Sequence, residues 1–101
     1  MILNVHKRGK DIVVAACDDA LLDKTIRGGE LKLHVSRKFY GEEACREEEL
    51  VMALRRCTSA NLVGEEVIAV AVKAGFVEED CVMFIGKVPH AQLYRVPSGL
   101  G

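Results

Sequence analysis

Ser59 to Gly75 reads SANLVGEEVIAVAVKAG, and the fold turns on how this stretch is divided. Val63, Val67, Val70, Ala71 and Ala74 recur at helical spacing, with Glu65, Glu66, Ala69 and Lys73 outside that face. Ser59 or Asn61 can cap such a helix, because a short polar side chain accepts a free backbone N–H of the first turn. The stretch therefore reads as one helix reaching Ala74. Gly75 stops it in the left-handed region, and Phe76 folds back onto the last turn.

Upstream, Glu42 to Cys57 reads as another helix. Glu47, Glu48 and Glu49 lie toward its start and Arg55 and Arg56 at its end, the order the helix dipole favours. Leu50, Val51, Leu54 and Cys57 make its apolar stripe. Arg37 to Gly41 is a loop, and Glu30 to Ser36 alternates as a half-buried strand with Leu31, Leu33 and Val35 on one face. Asp18 or Asp19 caps a short helix over Ala20 to Ile26, halted by Gly28 and Gly29. Met1 to His6 and Asp11 to Cys17 are strands joined by the basic turn Lys7, Arg8, Gly9, Lys10.

Downstream, Glu78 to Asp80 turns the chain. Cys81 to Ile85 is apolar throughout and reads as a central strand buried on both faces. Gly86 to Pro89 is a further turn, and His90 to Val96 alternates as the last strand. The order is strand, strand, helix, strand, helix, helix, strand, strand. It gives an α+β fold: one domain over residues 1–96, a mixed sheet of four to five strands with helices mainly on one face, and a flexible tail over 97–101.

With 101 residues, half of them apolar, the chain can bury a single core without a staple. Its net charge of -1 argues against a surface that grips nucleic acid or an anionic membrane everywhere, while leaving room for a local basic patch. No apolar run reaches the ~20 residues of a membrane span. The N-terminus lacks signal-peptide character, so a cytoplasmic protein is expected. Cys17, Cys45, Cys57 and Cys81 show no paired spacing and read as buried thiols. Neither they nor His6, His34 and His90 are spaced as local ligands, so no metal and no cofactor is expected. Asn4, Asn61 and Gln92 are the only amides, a balance like that of thermophile proteins.

Two of those amides lie in polar clusters set in apolar sequence, Ser59 to Glu65 and Val88 to Gln92. Together with Leu31 to Gly41 (LKLHVSRKFYG), the blocks Ala60 to Glu65 (ANLVGE) and Val88 to Gln92 (VPHAQ) resemble the archaeal domain-of-unknown-function family 424. The likeness runs over nearly the whole chain. It implies a small archaeal cytoplasmic protein without an assigned activity, associated with the translation apparatus. The family's marked positions fall on Phe39, Tyr40, Gly41, Asn61, Gly64, Glu65, Pro89, His90 and Gln92. The chain departs from the pattern at Glu42 and Lys87, where relatives carry glycine or run straight on.

Three functions compete. Arg37 and Lys38 beside Phe39 and Tyr40 pair cations with rings, the combination that holds single-stranded nucleic acid, and Lys7, Arg8 and Lys10 could extend the patch. The leading expectation is a non-enzymatic binding module for RNA or a translation factor. A small enzyme or ligand pocket is the alternative. His90 would be its acid or base, helped by Asn61, Glu65 and Gln92 if they converge. The third is an interaction subunit or homodimer joined through Phe39, Tyr40 and the last strand. Against these stand structural roles: a helix start for Asn61, Gly64 and Glu65, a locked turn for His90, and a plug between strand and helix for Phe39 and Tyr40.

Overall fold

The computed structural model describes residues 1–95. Among these residues seven strands and three α-helices follow in order: β1 (Ile2–Arg8), β2 (Asp11–Cys17), β3 (Thr25–Gly28), β4 (Leu31–His34), α1 (Arg37–Tyr40), α2 (Glu47–Arg56), β5 (Ser59–Val63), α3 (Glu65–Lys73), β6 (Met83–Ile85) and β7 (Val88–Tyr94). The main sheet has the order β1-β2-β5-β7-β6, with β2 and β5 parallel and the other pairs antiparallel. β3 and β4 form a separate hairpin. The fold is α+β.

Alternation along the strands sends side chains to two cores. Val14, Ala16, Ala60, Leu62 and Ala91 meet Leu50 and Leu54 of α2 and Val67, Ile68 and Ala71 of α3. The intervening residues Ala15, Cys17 and Val63 meet Ile26, Val35 and Tyr40 on the opposite face. The β3–β4 hairpin and α1 thus cover part of that second face. The remainder is open.

Several boundaries differ from those read in the sequence, each for a physical reason. Ala20–Ile26 is not a helix. A 3₁₀ turn at Asp19–Leu21 leads into β3, because Thr25–Gly28 finds a partner in Leu31–His34 across the Gly28–Gly29 turn. β3 runs so close to the β6–β7 turn that a side chain at Gly28 would overlap the backbone of Gly86. The helix expected from Glu42 begins at Glu47, because the preceding residues run along the edge of β1: Leu3 donates to Glu43 and Cys45 to Met1. That segment shields a sheet edge that would otherwise offer unpaired donors.

The long helix over Ser59–Ala74 divides at Gly64. Ser59–Val63 is a central strand, and only Glu65–Lys73 is helical. Arg37–Gly41 is a short helix rather than a loop, capped by Ser36, whose Oγ accepts the Phe39 N–H at 3.1 Å. Met83–Ile85 is an edge strand, not a central one, and Met83 and Phe84 are exposed. The last strand begins at Val88, so Pro89 lies inside it and not in a turn. The tail at 97–101, and Val96 with it, falls outside the described residues. No helix among the described residues is long and apolar enough to cross a membrane.

Candidate functional site

The open part of the second sheet face is built by register. Asn4, Ala15, Asn61 and Gln92 lie in one row across β1, β2, β5 and β7, and His6, Val13, Ser59 and Tyr94 in the next. All three amides of the chain therefore share a single row. Gln92 Nε2 donates to Asn61 Oδ1 at 3.0 Å. Asn4 Nδ2 donates to the Phe39 carbonyl at 3.1 Å, and His6 Nε2 donates to the same oxygen at 2.8 Å. The His6 ring also stacks on Phe39, centroids 5.0 Å apart and nearly parallel. The open face thus has a fixed aromatic wall on one side and Tyr94, 73% exposed, on the other.

A groove of about 1070 Å³ lies at this end of the sheet, lined by His6, Val13, Phe39, Ser59 and Tyr94, by Lys7 and Arg8 at the end of β1, which extends two residues into the expected basic turn, and by Lys10 of the Gly9–Lys10 turn. Arg95 and Asp11 complete its rim. The same end of the molecule receives the C-terminus of α2. Arg95 donates to the Arg55 carbonyl at 2.6 Å, its guanidinium lies 5.6 Å from the centre of the Phe76 ring, and Thr58 ties α2 to β2 through Ile12. Lys7, Arg8, Lys10, Arg55, Arg56 and Arg95 gather at this pole, with Asp11 the acid among them. The opposite ends of the same elements carry Asp18 and Asp19 after β2, Glu47 to Glu49 at the start of α2, and Glu65 and Glu66 at the start of α3. A net charge of -1 conceals two poles of opposite sign.

The sequence-derived candidates separate across this geometry. Lys7, Arg8 and Lys10 line the groove, and among the described residues none is in an ion pair. Arg37 is held at 2.6 Å from Asp23 and 2.7 Å from Glu42. Both acids raise its pKa further above the usual arginine value. Lys38 is exposed, Phe39 is a wall of the groove, and Tyr40 is 3% exposed inside the second core. A surface contact through Tyr40, in a patch or a dimer interface, is excluded by that burial. Cys81, read as buried, is exposed, and all four thiols are free.

Asn61, Gln92 and His90 share the open face, but Glu65 does not join them. It lines another groove, with Ile68, Val72, Phe84 and Pro89, on the helix side of the sheet. His90 is half-buried beside Val63 and Met83 in its row, and burial lowers its pKa below the usual imidazole value. It locks no turn, for it sits within β7. No group of three or more His, Cys, Asp or Glu residues suited to a metal occurs among the described residues.

Gly64 completes the frame. Its φ of 117° belongs to glycine, and it precedes α3, whose first-turn N–H groups of Glu66 and Val67 are both accepted by Asp18 at 3.0 Å. A carboxylate already occupies that helix start, so an anionic ligand is not drawn there.

The family model described as "Protein of unknown function (DUF424)" matches residues 5–96. The chain belongs to this family. The DUF424 fold is also seen in the crystal structure of an uncharacterized conserved protein from Methanopyrus kandleri, 30% identical, with a TM-score of 0.76 over 95% of this chain and 94% of that one. No curated protein matches the chain. The DUF424 positions marked in the sequence fall into three structural groups. Phe39, Tyr40 and Gly41 brace β1, Gly64, Glu65 and Pro89 meet at the β5–α3 junction, and Asn61, His90 and Gln92 lie on the open face. Sequence reading found the basic turn but not Tyr94, Arg95 or Ser59. The alternation of the last strand is legible, but that of β5 is hidden by the helix reading, so the two are not seen as neighbouring strands sharing one face.

Proposed function

We propose that this protein binds single-stranded RNA at the basic pole and across the open face of its sheet. The observation that carries the reading is the convergence of Lys7, Arg8, Lys10 and Arg95 on one groove with the exposed ring of Tyr94 at its side. Cations that track phosphates beside rings that stack on bases are the shared design of single-strand binders. The groove is a broad, partly open cleft floored by the short side chains of Ser59 and Val13, which suits an extended strand better than an enclosed metabolite. Arg37, neutralised by two carboxylates, is left out of the contact surface. The partner is an RNA of the cell in which this family works, with RNAs of the translation apparatus the first to try.

The test is a titration of labelled single-stranded RNA at several salt concentrations, with wild type and a Lys7→Ala, Arg8→Ala, Lys10→Ala triple variant. Counterion release makes the logarithm of the affinity fall with the logarithm of salt by about 0.7 per phosphate neutralised on a single strand. The triple variant is expected to bind more weakly, with a slope shallower by roughly 2. No binding at low salt, or identical slopes, would overturn the reading.

A further inference from the structure

We infer that Asn61 and Gln92 together read the edge of an RNA base, so that the strand lies with bases toward the sheet and phosphates toward the basic pole. The inference rests on the RNA reading above and gives it a polarity and a recognition element. The two amides face each other in register, and one hydrogen bond of 3.0 Å locks their orientation. With Gln92 Nε2 donating one N–H to Asn61 Oδ1, the Asn61 amino donors, the second Gln92 N–H and, beside them, the Gln92 carbonyl acceptor are left over. Among the described residues none of these has a protein partner, and Gln92 is exposed.

A donor beside an acceptor is complementary to a base edge, which carries the same pair in mirror order. It is poorly suited to a phosphate, whose oxygens only accept and would meet the Gln92 carbonyl with repulsion. Spacing supports the same arrangement. Tyr94 follows Gln92 by two residues on the same face, about 7 Å along the strand. A ring stacked on the Gln92 side of Tyr94 takes up about half that gap and stands with its edge over the two amides. The floor next to this row, Ser59 and Val13, is small enough to let it down. Arg8 and Lys10, at the tip of the β1–β2 turn, remain for the sugar-phosphate chain.

The arrangement is checked with two single-stranded RNAs of equal length, one carrying its bases and one abasic throughout, against wild type, Gln92→Leu and an Asn61→Leu, Gln92→Leu double variant. The leucines keep size and charge neutrality while removing donor and acceptor. The quantity read is the ratio of the two dissociation constants, with the folded state of each protein verified by circular dichroism. Wild type is expected to prefer the base-bearing strand roughly tenfold. The ratio is expected to fall several-fold in the single variant and further in the double variant if the latter folds, down to the share that stacking on Tyr94 supplies. If wild type binds both strands equally, or Gln92→Leu keeps the full ratio, the base-reading inference is overturned while salt-dependent RNA binding stands. If neither RNA binds wild type at low salt, the RNA reading itself fails and this inference with it.

Discussion

The carboxylate of Asp18 accepts the backbone N–H of Val67 at 3.0 Å, capping α3 from 49 residues away in the chain. The same carboxylate takes the Glu66 N–H, so the end of β2 and the start of α3 are one structural unit. A side chain on Gly64 would overlap this carboxylate, and the backbone there, at φ 117° and ψ 154°, is open to glycine alone. Asp18→Ala is expected to cost about 1–2 kcal/mol as a lost cap. Gly64→Ala is expected to cost more, about 1–3 kcal/mol from the backbone alone with the overlap added. Urea unfolding of the two variants against wild type checks both values; a Gly64→Ala protein as stable as wild type would contradict the structure.

Binding variants should divide along the groove. Tyr94→Ala is expected to weaken RNA binding by about 1–3 kcal/mol, the contribution of one stacked base. Arg37→Ala is expected to leave affinity and salt slope where they are, because its charge is already met by Asp23 and Glu42. The same titration measures both. A large loss with Arg37→Ala and none with Tyr94→Ala would return the contact to the α1 segment.

The second core carries a pH dependence. Burial pushes the Tyr40 phenol up to about 12 and the Cys17 thiol up to about 11. The unfolded chain ionises these groups near their ordinary values of about 10 and 8.5, while the folded protein still holds the protons. The unfolded state therefore binds fewer protons, and stability falls as pH rises between about 9 and 12. Melting temperatures across that range should decline, and Tyr40→Phe should decline less steeply. A flat profile would mean that Tyr40 is not sealed as described.

Thiol chemistry tests burial directly. Cys81 is exposed, whereas Cys17 and Cys57 are buried. An aromatic disulfide reagent should modify Cys81 first in the native protein, with Cys17 and Cys57 released only on unfolding. Mass spectrometry of the labelled peptides identifies the order. Native labelling of Cys17 ahead of Cys81 would contradict the packing of β2.

Much of this fold is legible in the sequence where one period governs a segment. The β1–β2 hairpin, the stripe of Leu50 and Leu54, and the Val67–Val70–Ala71 face emerge as read. The errors come where two signals overlap. Ser59 and Asn61 are good cap residues, and Val63 continues the helical spacing of α3 backwards, so a five-residue strand was hidden inside a helix pattern. Only Gly64 marks the break. Pro89 signals a turn because it has no N–H to give a neighbouring strand. Here it lies next in register to Gly64, whose N–H donates to the Pro89 carbonyl at 2.9 Å, while the Gly64 carbonyl is taken by Ile68 as α3 begins. The missing donor is not needed. Met83 and Phe84 mislead in another way, since apolarity alone does not say whether a strand is central or at an edge.

The candidate site was partly legible for the same reason. Lys7, Arg8 and Lys10 are adjacent in sequence and declare themselves as a patch. Asn4, Asn61 and Gln92 are distant in sequence, and nothing in a linear reading places them in one row. That row exists because β5 lies between β2 and β7, a pairing set by tertiary packing.

The two charged poles give the molecule the polarity of a bar magnet. At low ionic strength the acidic end of one copy is expected to attract the basic end of the next, and such contacts would extend head to tail rather than close. Salt at the physiological level shortens the reach of these charges to about 8 Å and is expected to free the monomers. Light scattering at rising salt should show the apparent mass falling to one chain. A nucleic acid at the basic end would compete with the next copy and cap the row.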